Sequence, residues 1–91
     1  MKLISIEPST RKDKKYVATF DDGTTTHFGT YGYDDYTMHK DEDRKARYIQ
    51  RHRARENWDN PRLAGTLSRY ILWNLPSLKA SVVDYKRRFN L

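Results

Sequence analysis

Apolar and polar residues alternate along the first third of the chain and recur at helical spacing along the rest. Leu3, Ile4 and Ile6 form a short apolar run that stops at Pro8-Ser9-Thr10. Tyr16, Ala18 and Phe20 then alternate with Val17 and Thr19, and Asp22-Gly23 stands where a hairpin must reverse before Thr24 to Phe28. Alternation of period two, bounded by turn residues, predicts strands, and their closeness in sequence predicts a three-stranded antiparallel meander. The charged stretch from Arg11 to Lys15 is expected in an exposed bend. Gly29 to Tyr36 carries two glycines, which permit backbone conformations other residues resist, and reads as an ordered loop with its tyrosines packed underneath.

Three helices are predicted next. The first runs from about Asp41 to Glu56, with Asp41, Glu42 and Asp43 at the end where the helix dipole favours acids and Arg51, Arg53 and Arg55 at the end where it favours bases. The second starts with Asn60 as cap and Pro61 in the first turn, and carries the apolar stripe Leu63, Leu67, Tyr70 and Ile71 as far as Trp73-Asn74. The third begins at Ser77 and buries Leu78, Val82, Tyr85 and Phe89, spaced four, three and four apart. The fold class is therefore α+β, a small antiparallel sheet followed by three helices. Residues 1–91 are read as one domain, strand-rich over 1–36 and helical and basic over 37–91.

Composition narrows this picture. Apolar residues are 36% of the chain and charged residues 33%, so the core must lean on large aromatics, with two tryptophans, seven tyrosines and three phenylalanines to draw on. Cysteine is absent, which rules out disulfides and thiolate metal sites and suits an intracellular or intravirion setting. The opening residues hold too short an apolar run for a signal peptide, and no stretch is long enough to span a bilayer, so membrane insertion is not expected.

The formal charge of +6 is unevenly spread. Through Asp43 there are six Lys/Arg against nine acids; from Arg44 onward there are twelve against Glu56, Asp59 and Asp84. A split of sign between the halves suggests a directed field and a polyanionic partner. The sharpest concentration is Arg44, Lys45, Arg47, Arg51, Arg53 and Arg55, with no acid among them. On a helix, Arg44, Arg47, Arg51 and Arg55 fall along one stripe with Tyr48 beside it, while Ala46 and Ile49 face the other way. Four guanidinium groups in line repel one another unless an anion lies against them. Nucleic-acid backbone is the commonest such anion, and the planar fork of arginine matches phosphate oxygens. The competing explanations are a solvated face, helped by a pair such as Asp43 with Arg47, or bridges to the acidic N-terminal half or to another protein. Lys86, Arg87 and Arg88 form a further candidate contact, although favourable charge at a helix C-terminus also accounts for them, and Arg11-Lys12 with Lys14-Lys15 are likewise either a second contact or a plain soluble turn.

Other chemistry is weakly supported. The acids from Asp34 to Asp43 invite comparison with a magnesium site, yet Asp41, Glu42 and Asp43 are consecutive and diverge on a helix, so capping explains them better. His39-Lys40-Asp41 is the one local grouping that could supply a catalytic base beside carboxylates. His27, His39 and His52 lack metal-ligand spacing, no nucleophile motif occurs, and the glycines at 29 and 32 do not form a phosphate-binding loop. No enzyme activity, metal or cofactor is expected. Trp58 and Trp73 could stack bases, but a chain this small needs them for its core.

The run Asp35-Tyr36-Thr37-Met38-His39-Lys40-Asp41, then Arg44-Lys45 and Arg47-Tyr48-Ile49-Gln50-Arg51-His52, resembles a family of small uncharacterised basic proteins from large DNA viruses of algae and protists. Trp58, Ala64-Gly65, Leu67 to Asn74, Pro76, Ser81 and Asp84-Tyr85-Lys86 with Phe89 extend the resemblance over nearly the whole chain. It implies a viral origin, hence an infected host cell or a virion, and no particular activity. A fainter similarity, of the hairpin with Phe28-Gly29 and Gly32, is to the Trp-Gly-Arg modules of DNA-break sensing enzymes, but the Trp-Gly-Arg triplet is missing. The expected function is sequence-tolerant binding of DNA or RNA backbone by the first helix. The alternative is a virion structural or minor capsid-associated protein whose charges bridge viral structural proteins or a second copy of the chain.

Overall fold

The computed structural model describes all of residues 1–91 and is built on three strands, β1 (Leu3–Pro8), β2 (Lys14–Phe20) and β3 (Thr25–Thr30). They form one antiparallel sheet in the order β1-β2-β3. Alternation along β2 places Tyr16, Ala18 and Phe20 on one face, where Ala18 pairs with Ile6 of β1 and Tyr16 with Phe28 of β3. Residues two apart share a face of a strand, so this pattern turns one side of the sheet apolar and leaves the other to solvent. The β2–β3 reversal falls at Asp22-Gly23, as expected. Gly23 takes a φ of +86°, and the Asp22 carboxylate accepts from the backbone N–H of Thr24 at 3.0 Å. β1 carries an irregularity between Leu3 and Ser5, which leaves Ile4 out of the regular pairing.

The helical part comprises α1 (Tyr36–His39), α2 (Glu42–His52), α3 (Ala64–Leu67) continued by a π-helical turn over Ser68–Leu72, and α4 (Leu78–Arg88). Ser77 caps α4 as predicted, its hydroxyl accepting from the N–H of Ala80 at 3.2 Å. The core is Leu3, Ala18, Phe20 and Phe28 from the sheet against Leu67, Ile71, Leu72 and Tyr85 from the helices. Tyr85 is fully buried because its one polar atom has a partner, the carbonyl of Pro61 at 2.6 Å. The α+β class and the three-stranded antiparallel sheet are thus the observed architecture.

Several expectations are corrected. The segment before α2 is not wholly loop: Asp35 caps the short helix α1, accepting from the N–H of Thr37 at 2.9 Å, and Lys40 ends it in the left-handed conformation at φ +55°. Tyr36 is buried beneath this turn, but Tyr31 and Tyr33 are each 70% exposed, not packed under it. Lys15 leaves the exposed bend to meet buried Asp35 at 2.6 Å. The first predicted helix stops at His52, because the chain reverses to tuck Trp58 edge-on against Tyr70. Arg53 and Arg55 therefore lie beyond its last full turn. On α2 the buried residue is Tyr48, whereas Ala46 is exposed and Ile49 only half-buried. The second predicted helix begins at Ala64, since Asn60 caps a turn at the N–H of Arg62 instead, and Leu63 is 41% exposed. Phe89 is half-buried.

Candidate functional site

α2 is the element that carries the predicted arginines, and its placement follows from a few contacts. The Asp41 side chain accepts from the N–H groups of Asp43 and Arg44, at 3.0 and 3.2 Å. These bonds, the one from Arg44 foremost, hold the Asp41 carboxyl below its ordinary range. The helix is moored by Tyr48, whose ring lies parallel to that of Trp73 with centres 4.3 Å apart, and whose other face takes the imidazole of His52 at 4.2 Å. Burial in this stack pushes the Tyr48 hydroxyl up to about 12. At the start of the helix, the Tyr36 hydroxyl donates to Glu42, and the Lys45 ammonium sits over the Tyr36 ring at 4.8 Å.

With Tyr48 held inward, the adjacent face of α2 turns Arg44, Arg47 and Arg51 toward a cleft of about 590 Å³ between the helix and the end of the sheet. Lys14 and Lys15 at the start of β2 form the opposite wall with Thr30, and Trp73 and Leu72 from the π-helical turn form part of the floor. Five lysines and arginines line the cleft against Asp34, Asp35 and Glu56. Asp35 is occupied by Lys15, and Glu56 stands 3.6 Å from the His52 ring. Arg44, Arg47, Arg51 and Lys14 make no ion pair with any carboxylate, and the three arginines are exposed. The predicted pair of Asp43 with Arg47 does not form.

The remaining predicted residues are not brought to this cleft. Lys45 is diverted to Tyr36, and Arg55 stands past the end of the helix. Lys86, Arg87 and Arg88 lie on α4, where Arg87 and Arg88 both reach Asp84, at 2.6 and 3.2 Å, and Arg88 covers the Tyr70 ring at 4.5 Å. Lys86 borders a separate apolar groove between β1 and α4. The acids from Asp34 to Asp43 do not converge, and no group of three His, Asp or Glu side chains comes together that could hold a metal. Capping explains Asp35 and Asp41. The His39-Lys40-Asp41 grouping is likewise engaged in local structure: the His39 Nδ1 accepts from the N–H of Asp41 at 2.9 Å, its ring lies 5.3 Å from that of Trp73, and Lys40 bonds the Thr37 carbonyl.

Lys14 and Tyr33 are the cleft residues that helical spacing could not bring to the arginines, because they come from the sheet and the loop after it. Trp73 is half-buried, part core and part cleft floor. No helix is long and apolar enough to cross a membrane. Neither a curated protein nor a solved structure matches the chain. Residues 4–52, more than half of the chain, contain all of the sheet but Leu3, with α1, α2 and every lysine and arginine of the cleft; they match a family of unknown function, DUF5754, and the chain belongs to that family.

Proposed function

We propose that this protein is a non-enzymatic binder of nucleic acid that grips the phosphate backbone without strong sequence preference, through Arg44, Arg47 and Arg51 of α2 and Lys14 of β2. The observation that carries this reading is that these four cations share one cleft and none has a carboxylate partner. Placed seven positions apart, Arg44 and Arg51 span about 10 Å of helix. Like charges held so close repel one another in the free protein and gain when phosphates enter, releasing counterions. Both faces of Tyr48 are already covered, by Trp73 and His52, so bases cannot be read by stacking on that ring. On the resemblance to small proteins of large DNA viruses, the setting is an infected host cell or a virion.

The test is charge reversal with an internal control. Arg44, Arg47 and Arg51 changed together to Glu abolish retention of DNA and RNA in a mobility-shift assay while the circular dichroism spectrum stays native. Arg55→Glu, outside the cleft, leaves most of the affinity in place. Equal losses from the two proteins would refute the assignment to the cleft.

The competing role, a virion component whose charges bridge neighbouring proteins, draws on the groove between β1 and α4. There Ile4 and Val83 are each 62% exposed beside Lys79 and Lys86. Those lysines suit an acidic, apolar segment of a partner protein and would meet their own kind in a second copy placed groove to groove. A protein of that sort fails to retain either nucleic acid, before and after the arginine reversal, which separates it from the first reading in the same assay.

A further inference from the structure

Two aromatic rings are exposed where the core has no use for them. Tyr31 and Tyr33 follow β3, and each is 70% exposed although the backbone beneath them is fixed. The N–H of Tyr31 bonds the Asp13 carbonyl at 3.1 Å, and the N–H of Tyr33 bonds the Thr30 carbonyl at 3.3 Å. Tyr33 lines the cleft of the α2 arginines. Tyr31 lines a second depression together with Arg11 and Lys12 of the β1–β2 turn. Lys14 and Lys15 border both hollows, so the two adjoin and form one path lined by the cations Arg51, Lys14 and Lys12 and the rings of Tyr33 and Tyr31.

Resting on the proposed phosphate contact, we infer that this path is a track for single-stranded nucleic acid, with phosphates held by the cations and bases stacked on Tyr31 and Tyr33. Every base has a π-face, so stacking of this kind tolerates any sequence, and aromatics interleaved with cations are how sequence-independent single-strand binders work. A duplex presents its bases already stacked and offers nothing to the tyrosines. The cleft, at about 590 Å³, also admits a strand of one or two nucleotides but not the body of a double helix. The tyrosines therefore choose the strand, while the arginines hold backbone of either kind.

The experiment measures fluorescence anisotropy of labelled oligo(dT) and of a labelled hairpin duplex against the full chain and two double variants. The parent protein binds the strand about tenfold or more tighter than the duplex. Tyr31→Ala with Tyr33→Ala removes that preference and leaves duplex affinity unchanged, whereas Tyr31→Phe with Tyr33→Phe, which keeps both rings, retains it. The rings are exposed, so a native dichroism spectrum is expected for both variants. A parent that binds duplex as tightly as strand, or an alanine variant that still prefers the strand, overturns the track while leaving phosphate binding in place. Failure to bind either probe overturns the phosphate reading itself and this inference with it.

Discussion

Gly29 brings the sheet up against the helical layer. Its φ is +78°, and a Cβ built there would stand 2.8 Å from Cδ1 of Leu72 and 3.2 Å from Cβ of Lys15. Gly23 has a similar φ, +86°, but nothing lies within 4 Å of the position a Cβ would take. The pair separates two costs that glycine avoids. Gly23→Ala pays only for the left-handed backbone, about 1 kcal/mol, while Gly29→Ala adds overlap with the core, for a total of about 2 kcal/mol or more. Urea unfolding of both variants checks this, and equal losses would mean that the sheet and the π-helical turn are not in such close contact. Gly29 also bears on the site, because Leu72 and Lys15 both line the cleft. The two glycines of this stretch, Gly29 and Gly32, were legible as a change of conformation, but which of them a second element would press upon depends on a contact forty-three positions away, between Gly29 and Leu72.

α3 and its π-helical continuation show how far spacing can be read. The Trp73 N–H bonds the Ser68 carbonyl at 3.0 Å, five positions back, and this wider turn lets the adjacent residues Ile71 and Leu72 both enter the core. A regular helix would have carried one of them away, which is why the stripe Leu63, Leu67, Tyr70 and Ile71 predicted the middle of the element but missed Leu72 and placed Leu63 inside. The strands were more legible. Tyr16, Ala18 and Phe20 alternate cleanly, and Asp22-Gly23 allows little but a reversal. The C-terminal helix was legible too, with Ser77 at its start and Tyr85 buried, except that its last predicted core residue, Phe89, meets the edge of the core and remains half-exposed. Leu67→Ala should cost about 2 to 5 kcal/mol, the range for emptying a fully buried leucine, and Phe89→Ala distinctly less. Chemical denaturation giving Phe89→Ala the larger loss would reverse the order of burial assigned to the two helices.

Charge counted by halves of the chain does not survive folding. The acidic N-terminal part contributes Lys14 to the basic cleft, and the basic C-terminal part spends Arg62 on Asp22 and two arginines of α4 on its own Asp84. What remains unpaired and concentrated is the wall of α2 facing β2. The stripe Arg44, Arg47 and Arg51 was legible because two turns of one helix need only local geometry. That Lys14 and Lys15 face the same cleft and that Tyr31 and Tyr33 are exposed were not, since both depend on how the sheet docks against α2. Four cations contacting phosphates imply a definite response to salt: the logarithm of the binding constant should fall against the logarithm of salt concentration with a slope near −3 on a strand, at about −0.7 per phosphate, and between about −3 and −4 on a duplex, at about −0.9 per phosphate. Titrating the nuclease-treated protein with labelled nucleic acid across low to physiological salt measures that slope directly. The cleft predicts a value near −3 on a strand for the parent protein and loss of both slope and affinity when Arg44, Arg47 and Arg51 become Glu; affinity that ignores salt, or a slope unchanged by the reversal, would contradict it.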